Sequence, residues 1–193
     1  MPRIDFNCDL GEGCGDDAAI MPWITSANIA CGGHAGDDGT IRETLRLCQA
    51  HGVVAGAHPG YDDRAHFGRR ELMLSPGEIR ALVRDQIERI RSIADEEHVS
   101  LRHVKPHGAL YNLSAREPDV ALAIAEAVHL IDPGLVLVGL AGSPSIHAAE
   151  SLGLRVAHEV FAERGYAASG QLLPRSAPGA VIASLDDANA QAL

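Results

Sequence analysis

Histidine, aspartate, asparagine and a single lysine recur at the ends of short apolar runs, and these residue types carry much of the proton-transfer and metal-binding chemistry open to a protein. Asn7, Asp9 and Glu12 close the first run; Asn28, His34 and Asp37 follow the second; His58 ends the third, before Pro59-Gly60-Tyr61. His103, Lys105 and His107 alternate through the fourth, and His158 and Glu159 lie in the last. Side chains of a strand alternate faces, so His103, Lys105 and His107 are expected to share one. Three ionisable groups on one face of a buried strand are costly unless they are paired or do work. His58 or Asp9 could serve as a general base, Lys105 could steady a developing negative charge, and Asp9, His34 and His58 are the candidate metal ligands. Of the 16 Lys and Arg residues, Lys105 alone is lysine, which marks a position where a guanidinium does not replace a compact ammonium. Structural readings compete with these. Asp9 can simply bond turn amides, His34 can sit inert on its loop, and Arg69-Arg70 can be a surface ion pair as well as a clamp for a carboxylate or phosphate. His51, His98, His129 and His147 fall on or after helices and read as solvated.

The elements that must position these residues are short strands alternating with helical patterns. Strands are expected over 3–10, 26–31, 53–58, 101–107, 135–141 and 155–161. Helices are expected over 39–51, where Gly52 stops the pattern, and from a capping box at Ser75-Pro76-Gly77-Glu78 to about Glu97. Further helices are expected over 118–130, 145–152 and 185–193. Such alternation predicts α/β architecture with a parallel sheet, either an open sheet or a barrel. In both, ligands bind at the carboxyl ends of the strands, where the polar residues fall. The 59–74 connection is longer than a structural link needs and is a candidate functional loop.

The chain has 193 residues, of which 46% are hydrophobic and 4% aromatic, so one domain with a mostly aliphatic core is expected over 1–193. A formal charge of −10, with no basic run longer than Arg69-Arg70, argues against nucleic acid or an anionic membrane as partner. No apolar stretch approaches a membrane span, and the acidic first 20 residues are unlike a signal peptide, which predicts a cytoplasmic protein. Cys8, Cys14, Cys31 and Cys48 contain no C-x-x-C pair and read as reduced thiols. The glycines at 11, 13 and 15 spell G-x-G-x-G, not a dinucleotide fingerprint, and the chain holds no G-x-x-x-x-G-K-[ST] loop and no G-x-S-x-G elbow.

Several blocks in register carry a resemblance. They are Asn7-Cys8-Asp9-Leu10-Gly11-Glu12-Gly13; Ser26 to Gly32 with His34-Ala35-Gly36-Asp37; Gly56-Ala57-His58-Pro59-Gly60-Tyr61; Phe67-Gly68-Arg69-Arg70; and His103 to Asn112. Glu159-Val160-Phe161-Ala162, then Arg164, Tyr166, Gly170 and Arg175, continue it. The chain resembles the LamB/YcsF lactam-utilisation family, whose members are A subunits of bacterial 5-oxoprolinase, from residue 3 to about 193. It departs from the family pattern at Gly33, Asp38, Asp62 and His66, which alters loop shape, and at Glu163, which keeps its charge.

That resemblance implies a (β/α) barrel related to polysaccharide deacetylases. It also implies ATP-dependent hydrolysis of 5-oxo-L-proline to L-glutamate, with ATP and Mg, together with subunits B and C. The expected catalytic group is Asp9, Glu12, His34, His58, Lys105 and His107. Asn7, Asn28, Arg69, Arg70, His103, Tyr111, Asn112, Glu159 and Arg164 are the expected substrate contacts. An unstrained five-membered lactam resists water, so phosphorylation of its carbonyl oxygen would ease ring opening. Lys105 would hold the phosphoryl group, His58 or Asp9 would activate water, His107 would protonate the ring nitrogen, and Arg69 or Arg70, with Arg164 as runner-up, would anchor the carboxylate. Two other classes stay open: a metal-dependent amidohydrolase or deacetylase, and a non-catalytic substrate-binding subunit. Six recognisable strands are too few for a closed barrel, so the sheet is expected to be open at its C-terminal end, with a gap between the first and last strands.

Overall fold

The computed structural model describes residues 4–192, so Arg3 and Leu193, the outer ends of two expected elements, lie outside the described residues. Six strands pair in chain order, each parallel to its neighbour: β1 (Asn7–Leu10), β2 (Ser26–Ala30), β3 (Val54–His58), β4 (His103–Val104), β5 (Val136–Leu140) and β6 (Arg155–Glu159). Helices α1 (Asp17–Ile20), α2 (Asp38–His51), α3 (Pro76–Glu96), α4 (Gly108–Ser114), α5 (Pro118–Ile131) and α6 (Pro144–Ser151) fill the crossovers, and α7 (Leu185–Ala192) follows β6.

Sequence chemistry accounts for the helix ends. Ser75 caps α3 and Glu78 reaches back to its backbone, as the capping box requires. Asp37, a site candidate by position, is instead the cap of α2: its carboxylate accepts from the Thr40 amide at 2.9 Å, and the left-handed Gly52 stops that helix. The core between sheet and helices is aliphatic as expected, with Ile29, Ile41, Leu45, Ile79, Val83, Ile87, Ile90, Ile124 and Leu137 fully buried; Tyr61 is the aromatic exception.

The sheet curls. Five spacings of about 4.8 Å would hold the edge strands of a flat sheet ~24 Å apart, yet Asn7 on β1 donates to Glu159 Oε1 on β6 at 3.0 Å. The expected barrel is therefore present as a six-stranded half-barrel, and β1 and β6 are its two edges, with side chains and no backbone ladder between them. The fourth strand is shorter than expected because only His103 and Val104 pair on both sides. Beyond them the chain stays extended along β3, as the Lys105 amide donates to Ala57 O and the His107 amide to Pro59 O, so the expected alternation survives. The helix α4, directly after His107, was not expected from the sequence. His129 is half-buried with Nδ1 unpartnered, not solvated.

Candidate active site

All six strands run toward one end of the curled sheet, and Asn7, Asp9, Asn28, His58, Lys105 and Glu159 meet there. Lys105 lies at the centre. Its ammonium donates to Asn7 Oδ1 at 3.0 Å and Asp9 Oδ1 at 3.2 Å, and pairs with Glu159 Oε1 at 2.7 Å. An ammonium has three N–H donors on one compact head, and here each has an acceptor from β1 or β6; a planar guanidinium could not serve three separate directions at this radius. The solitary lysine thus ties the two sheet edges together. Burial works against its charge, but Asp9 and Glu159 outweigh that and raise its pKa.

Asp9 is half-buried. Burial opposes its ionisation, but the charge and hydrogen bond of His58, Lys105 and a 2.9 Å hydrogen bond from Asn28 prevail and hold the carboxyl well below the usual range. Asn28, fully buried on β2, also donates to Asn7 Oδ1 at 2.6 Å, and its own oxygen accepts from His103 Nε2 at 2.8 Å. His103 fits because residue 56 is glycine: a Cβ there would lie 2.2 Å from its Nε2. Burial pushes the His103 imidazole down to about 4, so it is a neutral strut. Asn7, Asn28 and His103, expected substrate contacts, therefore lie behind Lys105 and Asp9 and hold them in place.

Beside this network lies an imidazole cluster. His34, His58 and His107 are buried, and the rings of His34 and His107 stack at 3.6 Å between centroids, 1° from parallel. His34 Nε2 meets Glu12 Oε1 at 3.0 Å, and His107 Nδ1 lies 3.4 Å from that oxygen and 3.0 Å from His58 Nε2. His58 Nε2 is also 3.2 Å from Asp9 Oδ2. The outer nitrogens are fixed by backbone: His58 Nδ1 donates to Lys105 O at 2.7 Å, and His107 Nε2 to Phe67 O at 2.9 Å. Gly68 allows the 59–74 loop to pack so closely; its φ is +61° and a Cβ would stand 2.7 Å from His34 Cβ. Burial, then the neighbouring imidazoles, pushes His107 down to about 3, and burial lowers His34. Glu12, His34, His58 and His107 each offer one ligand atom, all within 4.8 Å of one another. Asp9 pairs with His58 but is outside that group, so the expected ligand set of Asp9, His34 and His58 is regrouped by the fold.

A cavity of about 400 Å³ opens in front, lined by Asp9, His58, Arg69, Lys105, His107, Tyr111, Asn112, Phe161, Arg164 and Arg175 among others. That size is ordinary for a small-molecule site, ~300–1,000 Å³. The Tyr111 hydroxyl and Glu159 Oε2 are buried without hydrogen-bond partners, and burial pushes the Tyr111 phenol upward. Arg69 stacks over Phe67 with its guanidinium at the cavity. Arg70 does not reach it: its Nε pairs with Asp63 Oδ2 at 3.3 Å on the outside, which removes it as a carboxylate anchor. Arg164 touches the cavity, but its guanidinium donates to Ala180 O at 3.1 Å and Leu173 O at 2.8 Å, clamping the 160–182 segment. Arg175, Phe161 and the Phe67 carbonyl were missed as site groups. Nothing in their spacing marks them, since the first two lie on an irregular segment and the third acts through backbone.

Curled parallel strands that collect ionisable side chains at their carboxyl ends, around a cavity of this size, define an open (β/α)-barrel protein with a small-molecule site. The chain belongs to the LamB/YcsF family, whose model matches residues 4–193. It is 50% identical over 197 residues to the 5-oxoprolinase A subunit of Bordetella pertussis, covering 100% of this chain and 78% of that protein. It is 52% identical over 185 residues to that of Syntrophobacter fumaroxidans, covering 93% and 73%. The crystal structure of a lactam utilization protein from Thermus thermophilus superposes with a TM-score of 0.91 at 48% identity, covering 97% of this chain and 78% of that one. No helix among the described residues is long and apolar enough to cross a membrane.

Proposed function

We propose that this chain is a 5-oxoprolinase subunit that binds 5-oxo-L-proline in the 400 Å³ cavity and, with subunits B and C and with ATP and Mg, opens it to L-glutamate in the cytoplasm. The observation that carries the reading is Lys105, a charged ammonium held on the cavity floor between Asp9 and Glu159. A lactam needs its carbonyl oxygen activated before water can open the ring, and a fixed cation next to a carboxylate kept ionised supplies the electrostatics for that step. Asp9 is the base for water, since its carboxylate faces the cavity. Arg69 and Arg175 are the cavity cations for the substrate carboxylate, and the unpartnered Tyr111 hydroxyl and Glu159 Oε2 are groups a cyclic amide could satisfy. His107 is a poor acid for the ring nitrogen, because one of its nitrogens is spent on Phe67 O and its ring is held neutral. The relation to polysaccharide deacetylase barrels is what the family resemblance implies and stays part of this proposal.

The test is reconstitution with partner subunits, measuring glutamate and ADP in one assay. Equal yields of both, dependent on this chain, are expected. Glutamate without ADP would sink ATP coupling, and full turnover without this chain would make it dispensable.

A further inference from the structure

The imidazole cluster brings several ring nitrogens and carboxylate oxygens to one point. Carbonyl oxygens only accept, so His58 Nδ1 and His107 Nε2 carry the protons that bond Lys105 O and Phe67 O. With those nitrogens turned to the carbonyls, the inner nitrogens, His58 Nε2 and His107 Nδ1, face each other at 3.0 Å. The remaining neighbours are acceptors too: Asp9 Oδ2 lies 3.2 Å from His58 Nε2 and Glu12 Oε1 lies 3.4 Å from His107 Nδ1. His34 adds a buried ring whose Nδ1 has no partner. Ring nitrogens and carboxylate oxygens that converge this closely suit a positive centre between them. Charge points the same way: Asp9 and Glu159 pair with the buried ammonium of Lys105, while Glu12 Oε1 meets only the imidazoles of His34 and His107.

We propose that Glu12, His34, His58 and His107 form a binding site for one divalent transition-metal ion, with zinc, manganese, nickel or iron as the chemical class. Three imidazoles and one carboxylate form a nitrogen-rich set suited to these ions and unlike the all-oxygen shells of calcium or magnesium. Two of the rings already have the backbone-carbonyl anchoring of their far nitrogen that holds metal-binding histidines in register. Ligand atoms within 4.8 Å of one another need only small movements to reach an ion at roughly 2.1 Å. The only cavity-lining members are His58 and His107, so the ion's open side faces Asp9 and Lys105, where a water or a carbonyl oxygen would sit.

The test needs neither partner subunits nor ATP, so its outcome is separate from the lactam reading. The untagged chain is stripped with chelator, reloaded with zinc, manganese, nickel or cobalt, desalted and assayed for metal content, with the visible spectrum of the cobalt form reporting nitrogen coordination. Roughly one ion per chain is expected. His58→Ala, His107→Asn and Glu12→Gln should each cut occupancy at least ~10-fold, while the exposed His147→Ala leaves it unchanged. Circular dichroism checks that each variant is folded, and the milder Glu12→Gln stands in should a histidine variant unfold. A folded chain that retains no ion after desalting, or one whose occupancy is indifferent to Glu12 and His107, overturns the site and leaves a shared proton as the positive centre.

Discussion

On the outer faces of α2 and α3, Arg46 grips Glu97 through two nitrogens, Arg42 also reaches Glu96 and Glu97, and Arg89 pairs with Asp38. At the carboxyl ends of the strands, Lys105 holds Asp9, Asn7 and Glu159 with its side chain 7% exposed. Both regions are built of ion pairs, three arginines with three carboxylates in the first and one ammonium with two carboxylates in the second. In the first, solvent reaches the arginines, the long side chains lose entropy to hold position, and each pair contributes little. In the second, Lys105 and Glu159 are shut away from water, so each charge depends on its neighbours and its removal strands them. Arginine suits the first, where a broad fork can meet a carboxylate edge-on; lysine suits the second, where three acceptors converge on one point.

The sharpest way to break this contrast is Lys105→Met. It leaves Asp9 and Glu159 without a counter-charge and unties β1 from β6, so a loss of about 3–5 kcal/mol is expected in urea denaturation. Turnover with partner subunits should fall by at least ~100-fold. Lys105→Arg should rescue neither, and a variant within tenfold of wild type would end the case for Lys105. Next comes pH. His103 is held neutral by burial with a pKa near 4, against 6.5 for a free imidazole, so the unfolded chain takes up protons first as pH falls. Stability should decline as pH falls from about 6.5 to 4, with His34 and His107, both lowered by burial, adding to the same slope; His103→Gln should make it shallower, and an unchanged slope would mean that His103 does not contribute. Smaller again is Gly56→Ala, whose methyl would collide with the His103 ring and cost about 1–3 kcal/mol; a moved His103 imidazole NMR signal would separate this from general damage. Smallest is Arg46→Ala, expected to cost under ~1 kcal/mol and to lose even that in high salt. A salt-insensitive loss of several kcal/mol there would erase the distinction between the two regions.

Much of this arrangement is legible along the chain. The alternation of apolar runs with helical periods marks a parallel α/β sheet because each pattern depends on local geometry. Ser75 and Glu78 announce the start of α3 because a cap is completed within one turn. The two-residue spacing of His103, Lys105 and His107 places them on one face for the same reason, even though the ladder formally ends at Val104. Asp37 shows where such reading fails. It stands next to His34 on a polar loop, yet its carboxylate is consumed by the Thr40 amide three residues on. Arg69 and Arg70 are adjacent and chemically alike, but only the first reaches the cavity, since Asp63 draws the second outward.

The residue types, their order and the identity of the one lysine are properties of the sequence, and they suffice to place ionisable groups at the strand ends. Which of those groups meet is decided by curvature. Asn7 and Glu159 are separated by 152 positions and by the full width of the sheet, and they touch because the sheet curls far enough to bring its two edges within side-chain reach. His34 and His107 come from segments after different strands and share Glu12 Oε1 only because Gly60 and Gly68 let rings and backbone approach. Close approach across a curled sheet depends on packing summed over every strand, and no local spacing encodes it.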